Sequence, residues 1–256
     1  MEYGKLYTIL LSTVVSEKQS SVNQQIAKYI LDNLSHPEEI SVKNISANCH
    51  VGNATISRFC REIGLQDFFE LKDLISDCKY QAEYHEAQDF RTRVRGYRDS
   101  IAVGVNMVMD SVKEQEILEL CREIHDCKKV AVFGWLKSEA AAWVLQMELA
   151  ALGKNVYTAI SHRQQMEYLK QADEDDLIVI LSYRGIYFEY FSDPELHNYM
   201  KKPRICFVTG SEEAVPAGAD RILRFHSDFS QNSHPYQLLF FCNIISREYA
   251  RLYRKN

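Results

Sequence analysis

Apolar residues recur at helical spacing through the first 78 residues of the chain. One stripe of this kind ends before His36-Pro37 and consists of Val22, Ile26, Tyr29, Ile30 and Leu34. Spacings of three and four residues place side chains on one face, so this stripe predicts an amphipathic helix. Residues 67–70 carry an aspartate three positions before a glutamate, as in a helix capping box, and predict another helix through about residue 78. We therefore predict an all-α domain over residues 1–78.

The pattern changes beyond about residue 96, where short apolar runs alternate with segments of helical spacing. The runs that predict strands are 129–133, 176–181, 204–209 and 221–225, with a short segment at 155–159 between the first two. The predicted helices are 101–124, 138–152, one from about 162, another after 181, and 235–253. Such alternation indicates a parallel sheet covered on both faces. We predict an α/β domain over residues 96–256, joined to the first domain by a polar linker over residues 79–95.

Residues 42–61 read VKNISANCHVGNATISRFCR and predict two short helices, 42–48 and 53–64, joined by a tight turn. On the second helix, apolar and basic residues fall on opposite faces. One face holds Ile56, Phe59, Cys60 and Ile63, and the opposite face holds Ala54, Arg58 and Arg61. This is typical of a helix-turn-helix whose second helix lies in the major groove of DNA. The spacing is also compatible with an ordinary helical bundle whose arginines face water.

The stretch NATISRFCREIG, followed by FFELKDLI, resembles the N-terminal domain of the RpiR/MurR family of bacterial regulators. The residues that match the family pattern are Val51, Ala54, Thr55, Ile56, Ser57, Arg58, Phe59, Cys60, Arg61, Gly64, Phe69, Leu71 and Lys72. Two positions differ, since Gly52 replaces the usual N-cap serine and His50 replaces the usual turn glycine. Glycine is an acceptable N-cap, and histidine can adopt a positive φ at some cost. The resemblance implies a DNA-binding transcriptional regulator of sugar or amino-sugar metabolism.

The predicted DNA-binding module is not basic overall. Between residues 21 and 79, six lysines and arginines stand against eight aspartates and glutamates, and the whole chain has a net charge of −5. Affinity for double-stranded operator DNA must then come from local cations and from paired subunits, as in a homo-oligomer (a dimer or higher) on palindromic half-sites. We expect Asn53, Ala54, Ser57 and Arg58 nearest the bases, and Lys43, Thr55 and Arg61 at the phosphates.

Two strand-to-helix loops of the α/β domain carry candidate ligand-binding residues. Such loops meet at the carboxyl ends of parallel strands, where hydroxyls and helix N-termini suit a phosphate. The predicted effector-binding residues are Gly134, Ser138, Ser182, Arg184 and Gly185. Serine and glycine are also common in any connecting loop, so the loops could equally have no ligand.

Residues from about 96 to 256 are similar to the SIS (sugar isomerase) domain of RpiR/MurR regulators, which has the loops G-x-G-x-S and S-x-S-G-x-T. The family residues retained are Gly134, Ser138, Ser182 and Gly185. Leu136 replaces a glycine, Arg184 a serine and Tyr187 the threonine. The resemblance implies a sugar-phosphate sensor, and the substitutions leave three possibilities. Arg184 could grip the phosphate, the large side chains could fill the cavity, or the domain could bind another anionic metabolite.

SIS domains also occur in aldose–ketose isomerases, so an isomerase with a helical extension is the alternative function. A third possibility is a regulator whose SIS domain only dimerises. An isomerase needs a general base beside its substrate, and none of the candidates lies in a recognisable motif. These candidates are His162, Glu167, Glu189, His197, His226 and His234. We predict a sensor with no catalytic residue, no metal and no cofactor.

The cysteines and the apolar runs bear on cellular location. Seven cysteines, an odd number with no C-x-x-C pair, argue against a disulfide framework and against a zinc site. No apolar run reaches the ~20 residues of a membrane span, and the N-terminus lacks a signal-peptide layout. We expect a cytoplasmic protein with reduced, mostly buried thiols and no membrane partner.

Overall fold

A computed structural model describes residues 5–76, 89–190, 195–230 and 232–254. The chain divides into two compact units. The first, called here the helical unit, comprises Met1–Glu83, Ala159–Tyr168 and Glu189–Pro194. The second, called the sheet unit, comprises Tyr84–Thr158, Leu169–Phe188 and Glu195–Asn256.

The helical unit has short helices around one apolar core. Before residue 77 these are α1 (Lys5–Ser16), α2 (Val22–Asp32), α3 (Val42–Cys49), α4 (Asn53–Glu62) and α5 (Phe68–Ser76), with a 3-10 turn at Pro37–Glu39. All five helices contribute fully buried side chains to this core, among them Leu10, Ile30, Ile45, Phe59 and Leu71. Helices of this length are marginal in isolation, so the shared core stabilises them. The predicted helical N-terminal region is confirmed.

Side-chain caps begin α3 and α5. At α3, Ser41 Oγ accepts the N–H of Asn44 at 3.1 Å. At α5, Asp67 Oδ1 accepts the N–H of Glu70 at 3.0 Å, and the Glu70 carboxylate accepts the N–H of Gln66 at 2.7 Å. The predicted capping box is therefore present, although its return bond is made to the residue before the cap. Each such cap contributes roughly 1 kcal/mol to helix stability.

The sheet unit contains one parallel sheet. Its strands, in spatial order, are β1 (Lys129–Gly134), β2 (Asp176–Leu181), β3 (Arg204–Thr209) and β4 (Arg221–Arg224). The helices from residue 89 onward are α6 (Phe90–Ser111), α7 (Glu114–Asp126), α8 (Lys137–Ala151), α9 (His162–Gln171), α10 (Leu196–Tyr199) and α11 (His234–Tyr253). Val130 and Val132 pack in one cluster with α6, α7, α8 and α11, whereas Ala131 and Phe133 are buried on the opposite face. The predicted parallel sheet, covered on both faces, is confirmed.

The order in which the chain adds strands to the sheet reverses between β1 and β2. The segment predicted at 155–159 pairs with the sheet at Tyr157, on the outer edge of β1, through two 2.8 Å bonds to Val130 and Val132. The chain then returns to form β2 on the other side of β1. Such a reversal is a topological switch point, where ligands bind in sheets of this kind. Gly134 and Leu181 are partners across it, so the loops after β1 and β2 start side by side.

The helix predicted over residues 101–124 is wrong as a single element, because α6 and α7 are separate. Val112 takes an extended conformation with ψ 132° and ends α6. Ser111 Oγ donates to the Met107 carbonyl at 2.6 Å and accepts the N–H of His226 at 2.8 Å. The last turn of α6 is thereby tied to the chain that follows β4, and this long-range bond carries no signal in the local spacing.

Two other expected segments are shorter or only partly covered. The helix predicted after residue 181 consists of a 3-10 turn, Tyr187–Tyr190, and the four-residue α10. Of the predicted linker, residues 79–88 lie outside the described residues, and residues 90–95 form the start of α6.

The described cysteines are buried and none is in a disulfide. They are Cys49, Cys60, Cys121, Cys127, Cys206 and Cys242. Burial raises the pKa of each of these thiols, which keeps them protonated. Across the residues that the structure describes, no helix is both long enough and apolar enough to span a membrane.

Gly52 and Gly153 provide a matched pair of substitutions. Both have open space around a Cβ, but Gly52 has φ −82°, which any residue adopts, whereas Gly153 has φ +85°. We expect Gly52→Ser to raise the free energy of unfolding by about 0.5–1 kcal/mol, because serine adds an N-cap acceptor and restricts the unfolded chain. Gly153→Ser should lower it by about 1 kcal/mol through backbone strain. Urea unfolding followed by circular dichroism measures both, and a destabilised Gly52→Ser would contradict this account of the turn.

Candidate functional site

The turn between α3 and α4 is held by its own backbone and one hydroxyl. His50 ends α3 in the left-handed region, with φ 53° and ψ 44°. The N–H of Val51 donates to the Ser46 carbonyl at 3.1 Å, and Ser46 Oγ donates to the Val51 carbonyl at 2.5 Å. The positive φ expected of His50 is confirmed, and the Ser46 side chain ties together the two ends of the turn.

Burial of one stripe fixes the rotation of α4. Ile56, Phe59 and Cys60 are buried in the core of the helical unit, as predicted. The opposite face of α4 is exposed and consists of Asn53, Ala54, Ser57, Arg58 and Arg61. Thr55 is half-buried at the edge of this face, and Lys43 is exposed on α3. The structure therefore places most of the predicted DNA-binding residues on one accessible helix face.

Most polar side chains of this face have no partner within the described residues. Asn53, Ser57 and Arg58 make neither hydrogen bonds nor ion pairs through their side chains among these residues, and the same holds for Lys43 on α3. Arg61 is different, since its Nε donates to the Ser57 carbonyl at 3.4 Å along the same helix. Unpaired donors on an exposed helix face can bind an external acceptor without first breaking an internal bond.

One residue of the matched motif has a structural part. Lys72 Nζ donates to the carbonyls of Pro37 and Ile40, at 3.0 Å and 3.1 Å. It therefore ties α5 to the connection between α2 and α3. Its charge is used to hold this connection within the helical unit.

In the sheet unit, the loop after β1 retains a glycine-like backbone at a leucine. Leu136 has φ 50° and ψ −109°, which side chains rarely adopt. It stands where the family loop has its second glycine. Gly134, which is retained, has no room for a Cβ, since that atom would lie 2.8 Å from the Ser138 backbone. The glycine-like conformation of Leu136 is expected to cost about 1–3 kcal/mol of backbone strain.

The loop after β2 turns sharply at Gly185. The Gly185 N–H donates to the Ser182 carbonyl at 2.9 Å, and Gly185 has φ 77°. A Cβ at this position would lie 2.3 Å from the Cβ of Ala214, so both the conformation and the space require glycine. Ser182 itself is buried, and its N–H donates to the Val208 carbonyl at 3.0 Å, which extends the sheet ladder into the loop.

Aromatic rings lie between the two loops. Tyr187, at the position of the family threonine, is fully buried, and its ring stacks on Trp135 with centroids 5.4 Å apart. Trp135 Nε1 donates to the Tyr187 carbonyl at 3.4 Å. Burial raises the pKa of Tyr187 well above its ordinary value, so its hydroxyl stays protonated. These two rings reduce the space available to any ligand.

The N-terminus of α11 brings His234 to the same loops. Its Nε2 lies 3.5 Å from Ser138 Oγ, and its ring stacks on Tyr183 with centroids 3.8 Å apart. Burial, and then the positive charges of Lys137 and Arg184, lower the pKa of His234 to about 3. The sequence offered His234 only as one of several isolated histidines. Its place beside Ser138 depends on a contact across 96 residues, for which no local signal exists.

Two cations from the two loops therefore meet around His234. Lys137 follows Leu136 at the start of α8, and burial lowers the pKa of its amine. The Arg184 guanidinium lies 5.9 Å from the centroid of the Phe229 ring. Of the predicted effector-binding residues, Ser138 contacts His234 and Arg184 is near enough to lower its pKa, whereas Gly134, Ser182 and Gly185 shape the loops.

Tyr183 connects the second loop to two helices. Its hydroxyl donates to Gln237 Oε1 at 2.6 Å and is 2.5 Å from Ser227 Oγ. Gln237 Nε2 in turn donates to the Gly104 carbonyl of α6 at 2.8 Å. A Cβ on Gly104 would lie 2.4 Å from that of Ser233, so α6 and α11 are in close contact at this point. The residue next to Arg184 is thus bonded to α11 and, through it, to α6.

Comparison with known proteins identifies the helix-turn-helix domain. Residues 10–79 match the helix-turn-helix domain of the rpiR family. The chain is 24% identical over 242 residues to an uncharacterized HTH-type transcriptional regulator of Providencia stuartii, and the match covers 85% of this chain and 82% of the relative.

Solved structures show the fold. The Vibrio vulnificus NanR protein, complexed with ManNAc-6P, superimposes with a TM-score of 0.53 at 14% identity over 97% of this chain and 92% of its own. An Escherichia coli CFT073 protein, solved in complex with a sugar phosphate, superimposes with a TM-score of 0.55 at 17% identity over 66% of this chain and 93% of its own. Residues 10–79 are therefore a helix-turn-helix domain of the rpiR family, and the chain is similar over most of its length to an HTH-type transcriptional regulator and shares the fold of NanR.

Proposed function

We propose that this chain is a transcriptional regulator that binds double-stranded operator DNA through α4 and senses an anionic metabolite, foremost a phosphorylated sugar, in its sheet unit. The observation that carries the proposal is the exposed face of α4, most of whose polar side chains are unpaired among the described residues, within a domain that matches the rpiR helix-turn-helix. The protein acts in this proposal as a homo-oligomer in the cytoplasm.

The proposed DNA contacts follow from the two ends of the α4 face. Asn53, Ala54 and Ser57 lie in the first turns, which enter the major groove in helix-turn-helix proteins. Arg58 follows, and its planar guanidinium can bind guanine O6 and N7 in bidentate fashion. Lys43, Thr55 and Arg61, at the edges of the face, are assigned to phosphates. Because the surrounding module is acidic overall, two half-sites must be bound together to reach useful affinity.

The proposed effector site lies at the switch point of the sheet. Lys137, Arg184 and the Ser138 hydroxyl converge there, beside the N-terminus of α8. Burial lowers the pKa of Lys137 because it disfavours the charged amine. A bound anion would offset this cost by pairing with the charge. Both structural relatives were solved as complexes with sugar phosphates, ManNAc-6P in one of them, which supports a sugar phosphate as the class of ligand. Leu136 and Tyr187 favour a ligand smaller than those held by loops with glycine and threonine.

An isomerase is the second candidate, and two titratable groups bear on it. A general base works best with a pKa near the operating pH. His234 has a pKa of about 3 and is therefore a poor base. Burial raises the pKa of Glu139 to about 7, which suits a base, but no hydrogen bond among the described residues links Glu139 to the loop hydroxyls. We therefore favour sensing over catalysis, and incubation with aldose phosphates followed by NMR would reveal any conversion to ketoses.

Arg58→Ala tests the DNA-binding face. Removing a bidentate contact costs about 1–3 kcal/mol per half-site, so binding to an operator selected by the wild-type protein should weaken by at least ~10-fold. Fluorescence anisotropy at one fixed salt concentration measures this affinity. Arg122→Ala, which removes an exposed arginine of α7, is the matched control and should bind as the wild type does. Equal affinity for Arg58→Ala would remove α4 from the interface.

Arg184→Ala tests the effector site. Titration of the wild type with ManNAc-6P, with the sugar phosphate of the Escherichia coli complex and with inorganic phosphate should raise its melting temperature for at least one of these anions. The affinity of that anion should fall by about 10-fold or more in Arg184→Ala, because a charge-assisted hydrogen bond is lost. Lys128→Ala, at an exposed lysine, is the control. A filled pocket would leave the wild type without a response to any of these anions.

His234→Gln tests the half-buried, neutral histidine at this site. The pKa of His234 is lower when folded than when unfolded, so its contribution to stability is complete above pH 6.5 and is lost as the pH falls towards 3. Between pH 7.5 and pH 5 the wild type should lose about 2 kcal/mol relative to His234→Gln. Glu139, with its raised pKa, acts in the opposite direction, and the comparison with the variant cancels it. Urea unfolding at both pH values gives the difference, and parallel losses would mean that the pKa of His234 is not lowered in the folded protein.

A further inference from the structure

Helix α8 presents apolar residues on two opposite faces. One face, with Ala141, Ala142, Leu145 and Leu149, is buried in the core of the sheet unit. The opposite face, called here the α8 patch, consists of Ala140, Trp143, Met147 and Ala150, all of them exposed. Trp143 is 61% exposed and Met147 is 54% exposed. A helix on the surface of a domain normally turns charged or polar residues to water, and α8 does not.

The polar side chains in the second half of α8 are used inside the sheet unit. Gln146 Nε2 donates to the Val156 carbonyl at 2.7 Å. The Glu148 carboxylate accepts the hydroxyl of Ser246 on α11. These residues therefore flank the α8 patch without shielding it, and the patch itself carries no charge.

Trp143 and Met147 are the large side chains of the α8 patch. Gln146 holds α8 to Val156, whereas the next residue, Tyr157, packs against Phe133 on the sheet face away from α8 and is not part of the patch. Tyrosine and tryptophan are enriched at protein interfaces, where a large ring is removed from water at little cost in side-chain entropy. An exposed apolar surface of this composition indicates a protein partner.

The side-chain sizes along the α8 patch indicate which partner covers it. The order Ala140, Trp143, Met147, Ala150 is small, large, large, small, and the spacings of three, four and three residues are symmetric about Leu145. Two copies of such a helix can cross antiparallel about a two-fold axis that passes the patch at the height of Leu145. Trp143 of one copy then meets Met147 of the other. Each Ala140 then meets Ala150, where the small side chains allow close approach. The patch is thus complementary to itself, which is the requirement for an isologous contact.

We propose that the α8 patch is a self-association surface, which packs antiparallel against the same patch of a second copy of this chain. The proposal deepens the function proposed above and rests on it for the need to pair two subunits on one operator. An uncharged patch does not suit nucleic acid or an acidic peptide. A stable interface buries about 800 Å² on each partner, more than one helix face provides, so we expect the α8 patch to be the centre of a larger contact.

Charge substitution tests the α8 patch in the full chain. Trp143→Glu and Met147→Glu should each weaken self-association by at least ~30-fold, measured by sedimentation velocity over a range of concentrations. Met109→Glu is the matched control, because Met109 is 58% exposed on α6, outside the patch. Circular dichroism melts show whether each variant is folded, and Trp143→Phe, which keeps the patch apolar, should retain association. A monomeric wild type, or unchanged association in both folded glutamate variants, would overturn the proposal.

Cross-linking tests the antiparallel arrangement. Chains with Ala140→Cys and chains with Ala150→Cys, when mixed and treated with a short thiol cross-linker, should form covalent dimers. Either variant alone should show only the background of the wild type, whose described cysteines are buried. Strong cross-linking of Ala140→Cys with itself would contradict the two-fold axis at Leu145.

Failure of this proposal is distinguishable from failure of the proposed function. If the wild type dimerises through the α8 patch but no DNA is selected by it, the proposed interface stands and the proposed DNA binding is wrong. If the wild type binds DNA and Trp143→Glu dimerises as well as the wild type does, the proposed interface is wrong and the proposed DNA binding stands.

Discussion

Burial of one apolar stripe determines which way each functional helix of this protein faces. In α4, Ile56, Phe59 and Cys60 are buried in the helical core, and their burial turns Asn53, Ser57 and Arg58 outward. A different rotation of α4 would expose about 100° of apolar surface and bury a guanidinium, at a cost of several kcal/mol. The same constraint acts on α8, where the core-facing stripe leaves Trp143 and Met147 outside. The two outward faces differ in chemistry, polar on α4 and apolar on α8, which is why we assign them different partners.

The candidate effector site combines a glycine-like backbone with large side chains. Leu136 adopts a conformation that glycine would adopt without strain, and Gly134 and Gly185 remain where a Cβ has no space. At two positions where the family loop has small hydroxyl residues, this chain has a guanidinium and a buried phenol. For the ligand proposed above, we expect electrostatic attraction to replace part of the hydrogen bonding.

The buried bonds of Tyr183 offer a physical route from this site to the rest of the sheet unit. Its hydroxyl and the Gln237 amide leave little freedom to move the loop without moving α11 and α6. Buried hydrogen-bond networks of this kind tend to have discrete arrangements, since a partly broken network leaves polar groups unpaired. A ligand that favoured one arrangement of Arg184 would thereby favour one position of α6, and the differential affinity would set the size of the response.

Local sequence determined the helices around the turn, the cap at Asp67, the positive φ at His50, the parallel strands and the presence of both candidate ligand loops. These features depend on residues within a few positions of one another, so their spacing and type were sufficient to predict them. Tertiary structure decided the break at Val112, the stack of Trp135 on Tyr187, the place of His234 beside Ser138 and the outward direction of Trp143. Each of these depends on which elements pack together, and contacts between residues far apart in the chain leave no periodic trace in the sequence.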